Sequence, residues 1–89
     1  MIRVLFVCAG NVCRSPISQG VFEAVLRREG LEGAVHVDSA GTGGWFAGSP
    51  PDGRAIESAA RRGLDIGVQR ARRISPEDCR RFDYVLTMD

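Results

Sequence analysis

Apolar positions along this chain switch repeatedly between two periods. Residues 2–7 form a short, almost continuous apolar run, rich in β-branched side chains and interrupted only by Arg3. A run of that length and character predicts a strand buried on both faces, as in a parallel sheet. Residues 8–14 then contain Gly10 and Asn11, both tolerant of positive φ. Ser15-Pro16 marks a helix start, with Ser15 as N-cap and Pro16 in the first helical position. Ile17, Val21 and Val25, with Phe22 beside them, recur at helical spacing until Gly30 supplies a stop. Gly20 lowers helix propensity inside that segment and points to close packing on the sheet. Residues 34–39 alternate as a second strand. Ser49-Pro50-Pro51-Asp52 opens a second helix carrying Ile56, Ala59 and Ala60 toward Gly63, and residues 64–74 read as irregular and arginine-rich. Ser75-Pro76-Glu77-Asp78 starts a short third helix, with cap, proline and acidic first turn in order. Residues 84–88 complete the pattern as a third strand. Strands alternating with helices predict an α/β fold with a parallel sheet and right-handed crossovers.

Composition narrows the class. With 89 residues, 44% hydrophobic and 26% charged, the chain fits one small soluble domain over residues 1–89 whose core has little margin. The longest apolar run is too short for a bilayer span or the apolar part of a signal peptide, so a cytoplasmic protein is expected. A net charge of +1 gives no electrostatic case for nucleic acid or membrane partners. All twelve basic residues are arginine, which rules out Schiff-base lysine chemistry and the lysine-bearing Walker loop. The arginines at 70, 72 and 73 read as a solvated face, or as a lure for an acidic substrate. Three cysteines, Cys8, Cys13 and Cys79, argue against a disulfide framework. The single, isolated His36 argues against both a zinc site and a Cys–His protease pair, so neither metal nor cofactor is expected.

The chemistry concentrates in one loop. Val7-Cys8-Ala9-Gly10-Asn11-Val12-Cys13-Arg14-Ser15-Pro16 contains Cys-x5-Arg-Ser, a weak signal as bare spacing. Its position between a buried strand and a capped helix strengthens it, because α/β folds bind ligands at the carboxyl ends of strands. Five intervening residues let backbone N–H groups of Ala9, Gly10, Asn11, Val12 and Cys13 curl inward as an anion nest. The following helix adds its positive end, and Arg14 can place a planar fork on two phosphate oxygens. The same field favours the thiolate of Cys8, the candidate nucleophile. Ser15 is open to two roles, N-cap and support for that thiolate. Asn11 reads as a left-handed loop residue whose amide can reach a partner on the next strand, with Ser39 best placed. Cys13 is either a small apolar filler or a redox partner able to capture an oxidised Cys8 as a disulfide. Cys79 reads as packing or surface. Trp45 and Phe46 are either local core or the wall of a cleft for an aryl phosphate.

Residues 4–16 resemble the signature of the low-molecular-weight protein tyrosine phosphatases. The resemblance continues through Val37-Asp38-Ser39-Ala40-Gly41-Thr42, Pro50-Pro51-Asp52, Ala71-Arg72 and Phe82-Asp83-Tyr84-Val85-Leu86-Thr87-Met88-Asp89. It implies a three-layer α/β sandwich whose parallel strands run in the order 2-1-3. It further implies a phosphocysteine intermediate on Cys8, phosphoryl binding by Arg14, support from Ser39 through Asn11, and Trp45 at the cleft rim. Expected partners are a phosphotyrosine protein as substrate and inorganic phosphate or other oxyanions as ligands. Family members continue past the third strand with a fourth strand, an Asp-Pro general acid and a closing helix. No Asp-Pro dipeptide occurs in these 89 residues, and neither Asp52 nor Asp89 is assigned that role. The chain therefore reads as a C-terminally truncated domain, with the third strand a candidate edge for dimer formation. Three rivals remain. A thiol-relay arsenate reductase needs cysteines after the third strand, where this chain has Met88. A protein-arginine phosphatase tends to carry threonine where Val12 stands. An inactive phosphate- or phosphotyrosine-binding remnant needs no general acid.

Overall fold

The computed structural model describes residues 1–88. Its elements are β1 (Ile2–Cys8), α1 (Arg14–Arg28), β2 (Val35–Gly41), α2 (Gly53–Ala60), α3 (Pro76–Arg81) and β3 (Tyr84–Thr87). The three strands form one parallel sheet in the order β2-β1-β3, so the most continuously apolar segment takes the centre. Side-chain alternation along β1 then divides the core. Val4 and Phe6 pack with Leu26, Phe22 and Val37 under α1, where the Phe6 and Phe22 rings meet edge to face at 5.9 Å. Leu5 and Val7 point the other way, against Ala40 of β2 and against Phe82 and Ile74 from the segment around α3. Helix, sheet and the α3 segment make three layers, as expected.

Helix α1 ends as its Gly30 foretells. Gly30 adopts φ 71°, its N–H bonds the Arg27 carbonyl at 3.2 Å, and Leu31 N–H bonds the Leu26 carbonyl at 2.8 Å. That pair of bonds is a Schellman closure, which only a residue at ease with positive φ permits. At the other end the structure departs from expectation. Helical geometry begins at Arg14 with Cys13 as N-cap, so Ser15 lies inside the first turn. Asn11, at φ 58°, has already turned the chain, and Pro16 is accommodated because first-turn N–H groups have no intrahelical partner.

The second helix also starts later than the sequence suggests. Each of the two prolines forces the preceding residue into extended backbone, and Asp52 becomes the cap, accepting from Arg54 N–H at 2.8 Å. Its buried residues are Ala55 and Ala59; Ala60 is exposed. They pack with Ile66, Leu64 and Ile17. Gly20 does mark a close approach, but to this cluster rather than to the sheet: a Cβ there would sit 2.6 Å from Ile66 Cγ2. Val21, expected on the buried face of α1, is exposed; Leu26 occupies the covered face instead.

Candidate active site

The loop after β1 is held from outside by its own carbonyls. The oxygens of Cys8, Ala9 and Val12 accept from Thr42, Gly43 and Asp52 N–H groups at 2.9, 3.0 and 2.8 Å. Gly41 makes room for this contact, since a Cβ would lie 2.9 Å from the Ala9 carbonyl oxygen and 3.1 Å from Asn11 N. With carbonyls engaged there, the loop turns N–H groups toward the sulfur. Asn11 N–H reaches Cys8 Sγ at 3.3 Å. Such a turn at the start of a helix is the geometry that an anion nest requires.

Behind the nest lies a buried polar chain. Ser15 Oγ sits 3.0 Å from Cys8 Sγ, and the Asn11 side-chain amide donates to Ser15 Oγ at 2.8 Å and to Ser39 Oγ at 3.0 Å. Arg72 N–H donates to Asn11 Oδ1 at 2.9 Å, which fixes which end of the amide is oxygen. Ser15 Oγ already accepts from Asn11, leaving its proton free for the sulfur. Burial pushes the Cys8 thiol up, but bonds from the Ser15 hydroxyl and from the Ser15, Asn11 and Cys13 N–H groups outweigh it. The net result lies below the ordinary thiol value of 9.0. Cys13 goes the opposite way: burial, then the negative fields of Asp52 and Cys8, raise its thiol. Of the two roles open to Ser15, the N-cap is displaced and a contact with Cys8 Sγ is present.

In front of the nest a cavity of about 330 Å³ is lined by Cys8, Ala9, Gly10, Val12, Cys13, Arg14, Trp45, Phe46 and Met88. Cys8 and Arg14 thus share one opening. Arg14 Nη1 donates to the Met88 carbonyl at 3.2 Å, a partner at the end of β3 that sequence spacing does not reveal. Trp45 is 73% exposed and Phe46 47%, which excludes local core and puts both on the cavity wall. Asp52 is spent on capping α2 and does not line the cavity. Asp89 lies outside the described residues.

Arg72 corrects the reading of the arginine-rich segment as a solvated face. Its guanidinium pairs with both Asp78 oxygens at 2.9 and 3.0 Å and with Asp38 at 3.1 Å. Asp78 is buried and also accepts from Ser75 N–H at 2.8 Å. The Arg72 guanidinium, followed by the Ser75 bonds, holds its carboxyl at about 2, against an ordinary value of 3.8. Ala71-Arg72 figured in the sequence resemblance, but no local pattern ties the Arg72 main chain to a loop 61 residues earlier.

Comparison with known proteins places this geometry in context. The chain is 45% identical over 89 residues to the low molecular weight protein-tyrosine-phosphatase YfkJ of Bacillus subtilis, covering 100% of this chain and 57% of that protein. The crystal structure of YfkJ superimposes with a TM-score of 0.97, covering 100% of this chain and 56% of that one. The crystal structure of a Drosophila arginine phosphatase follows at 35% identity and a TM-score of 0.93, covering 99% of this chain and 55% of that one. The chain spans about half the length of the curated relatives it matches. A family model described as low molecular weight phosphotyrosine protein phosphatase matches residues 3–89, and the chain belongs to that family.

Proposed function

We propose that this chain supplies the nucleophile and the phosphate-binding loop for hydrolysis of phosphotyrosine in proteins through a phosphocysteine intermediate. The observation that carries the reading is Cys8 Sγ bonded by Ser15 Oγ and the Asn11 N–H in a cavity shared with Arg14. The Cys8 thiolate attacks phosphorus as the aryl oxygen departs with the bonding pair. Water then displaces the sulfur, releasing phosphate and restoring the thiolate. Backbone N–H groups of the loop and the Arg14 guanidinium hold the equatorial phosphoryl oxygens, whose charge pattern is common to both steps. Ser15 donates to the sulfur when it leaves. Trp45 and Phe46 wall the entrance for an aromatic ring.

Protonation of the leaving oxygen contributes roughly 10²–10⁴-fold in such reactions. Because these 89 residues contain no Asp-Pro, they turn over an activated aryl phosphate slowly and fail with poor leaving groups. Rapid-quench mass spectrometry with p-nitrophenyl phosphate tests the reading: phosphate on Cys8 is expected. Hydrolysis without it overturns the covalent mechanism, and binding without turnover favours the inactive remnant. Equal turnover of p-nitrophenyl phosphate and phosphotyrosine removes the argument from leaving-group protonation.

Structural likeness to an arginine phosphatase supports a second reading, phosphoarginine as substrate. Val12, apolar and on the cavity wall, favours the aromatic ester, and parallel assays with phosphoarginine and phosphotyrosine peptides decide. Residues 1–89 act as one domain in this reading. Cys13, on the same cavity wall, serves as redox guard. Peroxide converts the Cys8 thiolate to a sulfenic acid, and the Cys13 thiol condenses with it to a disulfide and water. A thiolate nucleophile works in a reducing compartment, which supports the cytoplasm. Pairing of two copies through β3 belongs to the same proposal, since all four of its residues are exposed.

A further inference from the structure

A chain of hydrogen bonds connects Cys8 to a distant ion-pair cluster. Cys8 Sγ meets Ser15 Oγ, Ser15 meets the Asn11 amide, and Asn11 Oδ1 accepts the Arg72 main-chain N–H. Arg72 is in turn fixed by its own side chain, bidentate on Asp78 beside the start of α3 and bonded to Asp38 on β2. Asp38 immediately precedes Ser39, the second acceptor of the Asn11 amide. The cluster therefore ties the three segments that meet behind the loop. An asparagine amide presents oxygen or nitrogen by a simple flip, and either end fills the same space. With Arg72 N–H in place, only the oxygen can face it, so both amide hydrogens go to the serines. Without it, the flipped amide would compete for the Ser15 proton and take it from the sulfur.

Resting on the reading of Cys8 as nucleophile, we propose that the Arg72–Asp78–Asp38 cluster is a positioning device. It holds the Arg72 main-chain N–H on Asn11 so that Ser15 keeps its proton directed at Cys8. Arg72 touches neither the cavity nor the substrate site; it acts through Asn11. Among other charged groups near the loop, Arg14 lines the cavity from α1 and Asp52 bears on Cys13, and the test leaves both intact.

The experiment is the pH profile of Cys8 alkylation by iodoacetamide, read by site-resolved mass spectrometry. It compares the wild-type chain with Arg72→Met and Asp78→Asn, each verified as folded by circular dichroism at the assay temperature. Both variants retain the main-chain N–H but loosen its anchor. The expected result is a Cys8 titration displaced toward 9.0 and alkylation at pH 7 slowed roughly three- to tenfold. A depressed wild-type midpoint shared unchanged by the folded variants overturns the inference alone. A wild-type midpoint at or above 9.0 overturns it together with the nucleophile reading. A measurement without variants guards against unfolding: the Arg72 amide of the wild type is expected to be strongly protected from hydrogen exchange. Free exchange there overturns the proposal.

Discussion

The loop that joins β1 to α1 and the strand β3 both adjoin the central strand β1, yet they are built oppositely. Asn11, Ser15 and Ser39 are buried polar residues with their side chains hydrogen-bonded to one another, to Cys8 and to the Arg72 main chain. In β3, Tyr84 is 56%, Val85 37% and Leu86 42% exposed, and the strand is held mainly by backbone pairing to residues 4–7 of β1. A buried polar network tolerates only one arrangement, because each unmade bond costs about 1–3 kcal/mol. An exposed edge has no such demand. The fixed polar arrangement around Cys8 is thus stored where burial is high, and the exposed edge carries no counterpart.

The comparison breaks most visibly at Cys8. Replacing it by serine is expected to lower p-nitrophenyl phosphate hydrolysis by roughly 10⁴-fold, because a hydroxyl at its normal pKa is a poor nucleophile. Near-normal rates would relocate the chemistry. Arg14→Lys keeps the charge but loses the fork, and steady-state kinetics should fall about a hundredfold with the fold intact.

Next comes stability. The Asp78 carboxyl titrates lower in the folded chain, about 2, than its ordinary 3.8. Its contribution is therefore full above about pH 4 and drains away as pH falls toward 2. Asp78→Asn should flatten that part of the curve of denaturation midpoint against pH; an unaltered curve would discharge the ion pair from any stabilising role. Gly20→Ala is expected to cost about 1–3 kcal/mol through the clash with Ile66, measured by urea unfolding. The smallest effect belongs to the edge. Leu86→Lys should leave stability within about 0.5 kcal/mol while shifting size-exclusion elution of concentrated protein toward monomer. A wild-type chain that is already cleanly monomeric removes the edge as a pairing surface.

Much of this architecture is legible along the chain. The apolar run of β1 predicted a buried strand of a parallel sheet, Gly30 predicted a helix stop, and Cys-x5-Arg between strand and helix pointed to an anion site. These follow from local covalent facts: side-chain period, a residue at ease with positive φ, and backbone N–H groups with no partner. The sequence named only Ser39 as a partner for Asn11 and left Ser15 with two roles. Tertiary structure alone resolved them, by starting α1 at Arg14 and bringing the Arg72 main chain onto Asn11 from 61 residues away. It also turned Arg72 from surface charge into anchor and set Met88 beside Arg14. Backbone donors look alike in any sequence, so which one a folded chain brings to a given side chain is decided only when distant segments pack.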